Sequence, residues 1–568
     1  MPPMQDPTHP PQVALRPPSQ VMRLDRMGAA FPTRLSFLRA LLRNLIRDGW
    51  RFERPLWRID DAGVGRAIYR AIGPQRTYCL VCFSQELPPE QRTDRVIAEA
   101  WDASFVLYDG DPSPGEIERL AINVPKQEAG RFQPRDLVLS RANRSVRLFE
   151  KVAAALAHGR QPDGEDIAAI GYLMRTTAVY GNGKFGIADR DVIAARSEFA
   201  GPFRAEMLTV WLIRAFTVDL VEHIARARAP ETAVPLEPRL RRRFGVGNAT
   251  GLGMAPFLVR HPALVHRWFL ARETALARVR AVAAAGLEQQ GLFARAIGRA
   301  KDALMEWRTG DAIETARLVR LRNDLARIGA EVENGAMVRP APWDMLYRFA
   351  ERELSLEGQE LTAALLMEPH GPLIDDLADS MSADEDAEFT IDGSMTGQAL
   401  RDLIHTHYGW ALTNDYGRPE QQARFWYSSA EKLEPRLGER WHEPGGEREQ
   451  PLGVARDVAA LALELARGPA GETVAALLAA APEHRHSVRR IQATARAPYA
   501  EIRDNLLSAT MRPIDILRCK LAFFGATRFD PRSDRWLRIT LCQGAPFPAE
   551  LAATPADDWT YSSLMDRK

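Results

Sequence analysis

Two glycine-rich segments hold the residues whose types and spacing could do chemistry. The first is Tyr180-Gly-Asn-Gly-Lys-Phe-Gly186. Its glycines let the backbone adopt conformations closed to other residues and come close to a ligand. The amide of Asn182, the backbone at Gly183 and the ammonium of Lys184 together suit capture of a phosphate or carboxylate. Arg175, a few residues earlier, adds a clamp. A Walker A loop is excluded, because Phe185 stands where Ser or Thr must follow the lysine. Lysine is scarce here: of 75 basic side chains only seven are Lys, at 126, 151, 184, 301, 432, 520 and 568. In a chain that otherwise writes Arg, a Lys marks a place where a compact, titratable point charge serves better than a planar fork. The structural alternative is a Schellman cap at Gly181 followed by a turn.

The second segment is Phe244-Gly-Val-Gly-Asn-Ala-Thr-Gly-Leu-Gly-Met-Ala-Pro256, followed by Arg260 and His261. It reads as a glycine-rich loop opening onto a helix N-terminus, a ready anion site. A dinucleotide fingerprint would need a preceding strand inside a βαβ unit, and Pro-Arg-Leu-Arg-Arg-Arg-Phe is a poor buried strand. The candidate roles follow from residue chemistry. Lys184 and His261 are the candidate catalytic acid–base groups. Arg175 and Arg260 would clamp a carboxylate, and Asn182 and Asn248 would hold the reacting oxygen. Gly183, Thr250, Gly251 and Gly253 would line the site. The alternative is a packing element where chain segments cross closely on glycine.

Other chemistry-bearing groups give weaker signals. Cys79 and Cys82 form a CxxC, but it lies in the strand-like Thr77-Tyr-Cys-Leu-Val-Cys-Phe83. A period of two puts the two thiols on opposite faces, and no second pair completes a zinc site. Glu439-x-x-His442 and Glu483-x-x-His486 lack the long inward-facing helices of a di-iron bundle. The acids between Asp375 and Asp392 do not follow EF-hand spacing. No nucleophile elbow, His-Glu-x-x-His or kinase signature occurs.

The elements that must position these residues are mostly helical by period. The expected fold is mainly α: a multi-helical domain preceded by a small α+β domain with a short, mostly antiparallel sheet. The expected organisation is a disordered, proline-rich tail (1–20), an N-terminal amphipathic helix (21–49) and the α+β domain (50–145). A helical domain with both glycine-rich loops (146–433), a linker (434–452) and a C-terminal helical region ending in a short strand (453–568) follow. Within this, Arg66 to Ile72 and Arg76 to Phe83 flank Gly-Pro-Gln as a hairpin. Glu165 to Tyr180 and Phe203 to Arg228 read as helices. Arg34, Arg39, Arg43 and Arg47 fall on the expected wet side of the first amphipathic helix.

Composition bounds the function. The chain has 568 residues and a net charge of +1, a balance that argues against nucleic acid as a partner of the chain as a whole. No apolar run is long enough to span a membrane. Few cysteines and no secretory h-region point to the cytoplasm, and the arginine bias to a GC-rich bacterial genome. The favoured expectation is a metabolic enzyme, a lyase or an oxidoreductase. It would hold a small anionic metabolite between the two loops, with a nucleotide cofactor in the hydride-transfer case and a homo-oligomer compatible with either. The other expectation is a non-enzymatic helical protein whose Arg-rich faces, such as Arg239 to Arg243 and Arg485 to Arg490, bind nucleic acid or an acidic partner.

Overall fold

The computed structural model describes residues 13–88, 100–126, 132–145, 147–176, 193–251, 262–379, 381, 390–418, 426–428, 433–435, 447–449, 454–469, 471–503, 515, 517–531, 536–554 and 557–564. Twelve strands occur among them: β1 (Arg51–Ile59), β2 (Gly65–Ile72), β3 (Thr77–Ser84), β4 (Ala103–Asp109), β5 (Asp136–Arg144), β6 (Tyr172–Thr176), β7 (Gly245–Gly251), β8 (Trp426–Ser428), β9 (Leu433–Pro435), β10 (Glu447–Glu449), β11 (Arg528–Pro531) and β12 (Trp536–Leu541). Nine form one sheet in the order β1-β2-β3-β4-β5-β6-β7-β12-β11, and the other three pair as β10-β8-β9, spanning the end of the expected helical domain and the expected linker.

This corrects the expected mainly α class. The fold is mixed α/β, and the sheet is not confined to residues 50–145. Strands β1 to β6 form an antiparallel meander, β7 joins β6 in parallel, and β12 and β11 complete the sheet antiparallel. The later strands are short, and their partners lie far away in sequence, so local periodicity carries little of their signal.

The expected Gly-Pro-Gln hairpin is present as β2 and β3, in register from Ile72 opposite Thr77 to Gly65 opposite Ser84. Alternation sorts the two central cysteines as expected. Cys82 joins the main core with Tyr78 and Leu80, whereas Cys79 faces a smaller core with Val81, Val106 and Leu120.

The helices that matter for the site are α1 (Phe37–Arg47), α2 (Pro114–Asn123), α3 (Leu148–Ala157), α4 (Gly164–Ile170), α5 (Arg204–Arg228), α6 (Pro262–Arg280), α7 (Leu287–Glu306), α8 (Ala312–Glu333), α9 (Leu356–Leu366), α10 (Gly397–Leu412), α11 (Val454–Arg467) and α12 (Arg485–Arg496). The helix expected to reach Tyr180 stops at Ile170. Gly171 caps it in the left-handed region at φ +78° and donates its N–H to Ile167 O, the usual role of glycine just past a helix end. The chain then enters β6.

Helix α5 is the crossover between parallel β6 and β7, as such a pair requires. It is buried along nearly its whole length. Its Arg214, 1% exposed, donates to the carbonyls of Phe244 (2.6 Å), Ala545 (2.7 Å) and Arg242 (2.9 Å). The guanidinium lies 3.9 Å from the centroid of the Phe547 ring. One side chain thus ties the entry of β7 to the exit of β12.

Two expectations about the N-terminus change. Arg39 of α1 is buried, not wet: it grips Glu368 through two bonds (2.7 and 2.8 Å) and Asp557 (3.1 Å). In the expected tail, residues 1–12 lie outside the described residues, but Arg16 is 5% exposed. It binds Glu273 of α6 (2.7 and 2.8 Å) and Glu360 of α9 (2.7 Å). Helices α10, α11 and α12 close a separate small core of Leu400, Ile404, Val458, Leu461, Val488 and Ile491.

Candidate functional site

The parallel pairing of β6 and β7 decides where the two glycine-rich segments leave the sheet. Tyr172 lies opposite Gly245 and Arg175 opposite Gly247. Both strands therefore run toward the same end of the sheet, where β6 stops at Thr176 and β7 at Gly251. Segment 177–192 starts from the first strand end and segment 252–261 from its neighbour. In sheets with parallel strands, ligands bind at the carboxyl ends.

Two of the candidate residues stand together here. Arg175 is half-buried on β6, and its register partner Gly247 places no side chain beside it. Asn248 is 3% exposed. Its Nδ2 donates to Thr176 O at 2.5 Å, and the Thr176 hydroxyl lies 2.6 Å from that of Ser140 on β5. The amide of Asn248 thus pins the end of β6 to β7, rather than waiting for a substrate oxygen. Thr250 and Gly251 are the last two residues of β7 and pair with Leu537 and Trp536 of β12. Asn182, Gly183 and Lys184, and likewise Gly253, Arg260 and His261, lie outside the described residues.

The expected second loop is thus a strand over Gly245–Gly251, and two of its glycines have packing reasons. A Cβ at Gly245 would sit 2.2 Å from Leu541 O, and one at Gly247 would sit 2.3 Å from the Tyr172 ring. The signal was in the sequence. Gly245, Gly247, Ala249 and Gly251 alternate with Val246, Asn248 and Thr250, which is the period of a strand.

The first segment carries a second overlooked signal. Gly181, Gly183 and Gly186 are spaced Gly-x-Gly-x-x-Gly. The pattern gains weight when a strand precedes it and a helix returns to a parallel strand. Strand β6, helix α5 and strand β7 supply that order. The departure is that α5 begins only at Arg204, well after the glycines.

The Arg-rich stretch of the other expectation is largely neutralised. Arg241 pairs with Asp219 (3.1 Å), Arg242 with Glu550 (3.0 Å) and Arg243 with Glu306 (2.6 Å). Asp219 also accepts from Tyr69 (2.7 Å) and Arg54 (2.8 Å). It sits in an open hollow of about 700 Å³ between β1, β2 and α5. Burial and this carboxylate push the Tyr69 phenol well up, so the group stays a neutral donor.

The four cysteines are free and buried. Burial pushes the Cys79 thiol up to about 12, which suits a packing role. Among the described residues no group of His, Cys, Asp and Glu is placed to hold a metal ion, and no helix is long and apolar enough to cross a membrane. No protein-family model matches the chain, and neither the curated proteins nor the solved structures compared with it include a similar one.

Proposed function

We propose that the protein is an enzyme of the cytoplasm that acts on a small anion, a carboxylate or a phosphate, held where β6 and β7 end. The observation that supports this most is the parallel pairing of the two strands. It sets the carboxyl ends of the two strands side by side, so the chain that follows each, from residue 177 and from residue 252, sets out from one sheet end although the two are far apart in sequence. Arg175 supplies a cation there. Asn248 acts as a positioning residue, by fixing the carboxyl end of β6. Lys184 and His261 are the proposed acid–base pair. Asn182, Gly183, Thr250, Gly251, Gly253 and Arg260 are the proposed ligand contacts. The Gly-x-Gly-x-x-Gly spacing after β6 favours a phosphate-bearing ligand, which fits an oxidoreductase with a nucleotide cofactor better than a lyase. Four free, buried cysteines agree with a reducing compartment.

The test is a thermal-shift screen of small carboxylates, phosphates and nucleotides on the wild type, Lys184→Arg and Lys432→Arg. A site that uses lysine as a titrating base or a tight point charge rejects the longer planar fork. The expected result is that a ligand stabilises the wild type and Lys432→Arg. Lys184→Arg should fold normally but bind at least ~10-fold more weakly, about 1.4 kcal/mol. Equal shifts in all three would return the first glycine-rich segment to a structural cap.

A further inference from the structure

At the opposite end of the same strands lies an enclosed cavity that the proposed function does not use. It opens between the start of β11, the residues after β12, the end of α7 and the C-terminal segment. Its lining includes Arg528, Trp307, Tyr561, Arg243, Gln543 and Thr527 among apolar walls such as Phe31 and Phe529. The cavity offers about 40 Å³ to the centres of water-sized atoms, against the roughly 10–15 Å³ that one water needs. A few non-hydrogen atoms fit.

Glu306, Gln543 and Thr527 also line this space and are bonded, to Arg243, the Arg243 carbonyl and the Thr540 carbonyl, whereas three donors on its wall have no acceptor. Arg528 is 7% exposed, and its Nη1 has no hydrogen-bond partner. Among the described residues no carboxylate forms an ion pair with it. Two acids whose charge reaches it pair with other cations, Asp530 with Arg538 (2.7 Å) and Glu306, itself on the cavity wall, with Arg243 (2.6 Å). Burial pushes the Arg528 guanidinium down to about 10, so it stays charged at neutral pH. Trp307 Nε1 and the Tyr561 hydroxyl are also buried without partners. Near Gly171, Arg528 Nη1, Thr540 Oγ1 and Gln543 Nε2 surround the position that a Cβ would take, at 3.6, 3.4 and 3.2 Å. A buried charge persists only when it is paired, and a buried donor only when it is bonded. For the Arg528 guanidinium the matching partner is an acceptor that carries negative charge.

We propose that this cavity is a binding site for a small anion, a carboxylate or a tetrahedral oxyanion of a few non-hydrogen atoms. Arg528 supplies the charge, and Trp307 Nε1 and the Tyr561 hydroxyl supply directed hydrogen bonds. The apolar walls keep water out and strengthen each contact. The site ties β11 and β12 to α7 and the C-terminal segment, so its occupant also braces the sheet edge.

The test is thermal unfolding of the full chain with inorganic phosphate or acetate added at constant ionic strength. At least one of the two should raise the wild-type Tm by several degrees, in a saturable way. Arg528→Met should lose the part of that rise that comes from this cavity, so its rise should be clearly smaller. Its Tm without added anion should equal or exceed that of the wild type, because an apolar chain replaces an unpaired buried charge. Trp307→Phe and Tyr561→Phe keep the rings and remove one donor each, so each should weaken the apparent affinity about tenfold. Lys184→Arg should keep the part of the rise that Arg528→Met loses, which separates this cavity from the site at the other sheet end. If neither anion moves the wild-type Tm, the proposal is wrong. It is also wrong if the rise is undiminished in Arg528→Met or if its Arg528-dependent part is lost in Lys184→Arg. Should Arg528→Met fail to fold, an undiminished rise in both ring-conserving variants overturns it equally.

Discussion

At the scale of single residues, burial decides which groups hold their protons. Glu314 of α8 is 1% exposed. Desolvation, opposed mainly by Arg518 and also by Arg317, and reinforced by Glu357 and Asp515, raises its carboxyl to about 7. The fold then keeps a proton that the unfolded chain releases near 4.5, so this group's contribution to stability falls as pH rises from about 4.5 to 7. His370 acts in the opposite direction. Burial lowers it to about 4 from 6.5, so its contribution is lost as pH falls through that window. Glu314→Gln should remove the first slope and leave the second. Chemical denaturation at pH 5 and pH 7.5 is the check. The variant should gain stability relative to wild type at the higher pH, and an unchanged difference would refute the assignment. None of this is legible in sequence, where Glu314 is one acid among many on a helix. The same holds for Arg528, whose significance lies in the partner it lacks. Cys79 and Cys82 differ: alternation alone separated them, because a strand's period is local.

At the scale of elements, the glycines of β7 have two kinds of work. Gly245 and Gly247 yield space to Leu541 O and the Tyr172 ring. Gly245→Ala meets a backbone carbonyl that cannot swing away, so it should cost about 1–3 kcal/mol, the usual range for overpacking, measured by urea denaturation. Gly251 ends the strand opposite Trp536, next to the proposed site. Gly251→Val should leave far-UV circular dichroism nearly intact and abolish ligand binding. Unfolding by Gly251→Val would make that position a packing element too. Long helices such as α5 were legible because their apolar repeat is local and long. Strands β6 and β7 were not, although β7 carries a clean alternation of small and larger residues. Glycine is depleted in most strands, and here it is present because neighbouring chain segments approach too closely for a side chain. The cap at Gly171 likewise ended a helix that periodicity would have carried on to Tyr180.

At the scale of the whole molecule, arginines stitch distant parts of the chain together. Arg16 reaches Glu273 and Glu360, Arg39 reaches Glu368 and Asp557, and Arg317 reaches Asp515 at 2.5 Å. Composition shows the many arginines but not their partners, which lie hundreds of positions away. That is why the N-terminal stretch reads as a free tail and α1 as a helix with a wet basic side. Deleting residues 1–12 should leave Tm unchanged. Deleting 1–20 strips Glu273 and Glu360 of one cation inside the core, a loss of about 3–5 kcal/mol, seen as a clear drop in Tm. Equal behaviour of the two truncations would show that Arg16 does not hold the N-terminus down. Whether the two glycine-rich segments serve one anion is read most directly by hydrogen exchange. The full chain is compared with and without the ligand that gives the largest Lys184-dependent thermal shift. Slower exchange in both 177–192 and 252–261, absent in Lys184→Arg, is the expected result. Protection of only one segment, or of neither, would contradict a shared site at the ends of β6 and β7.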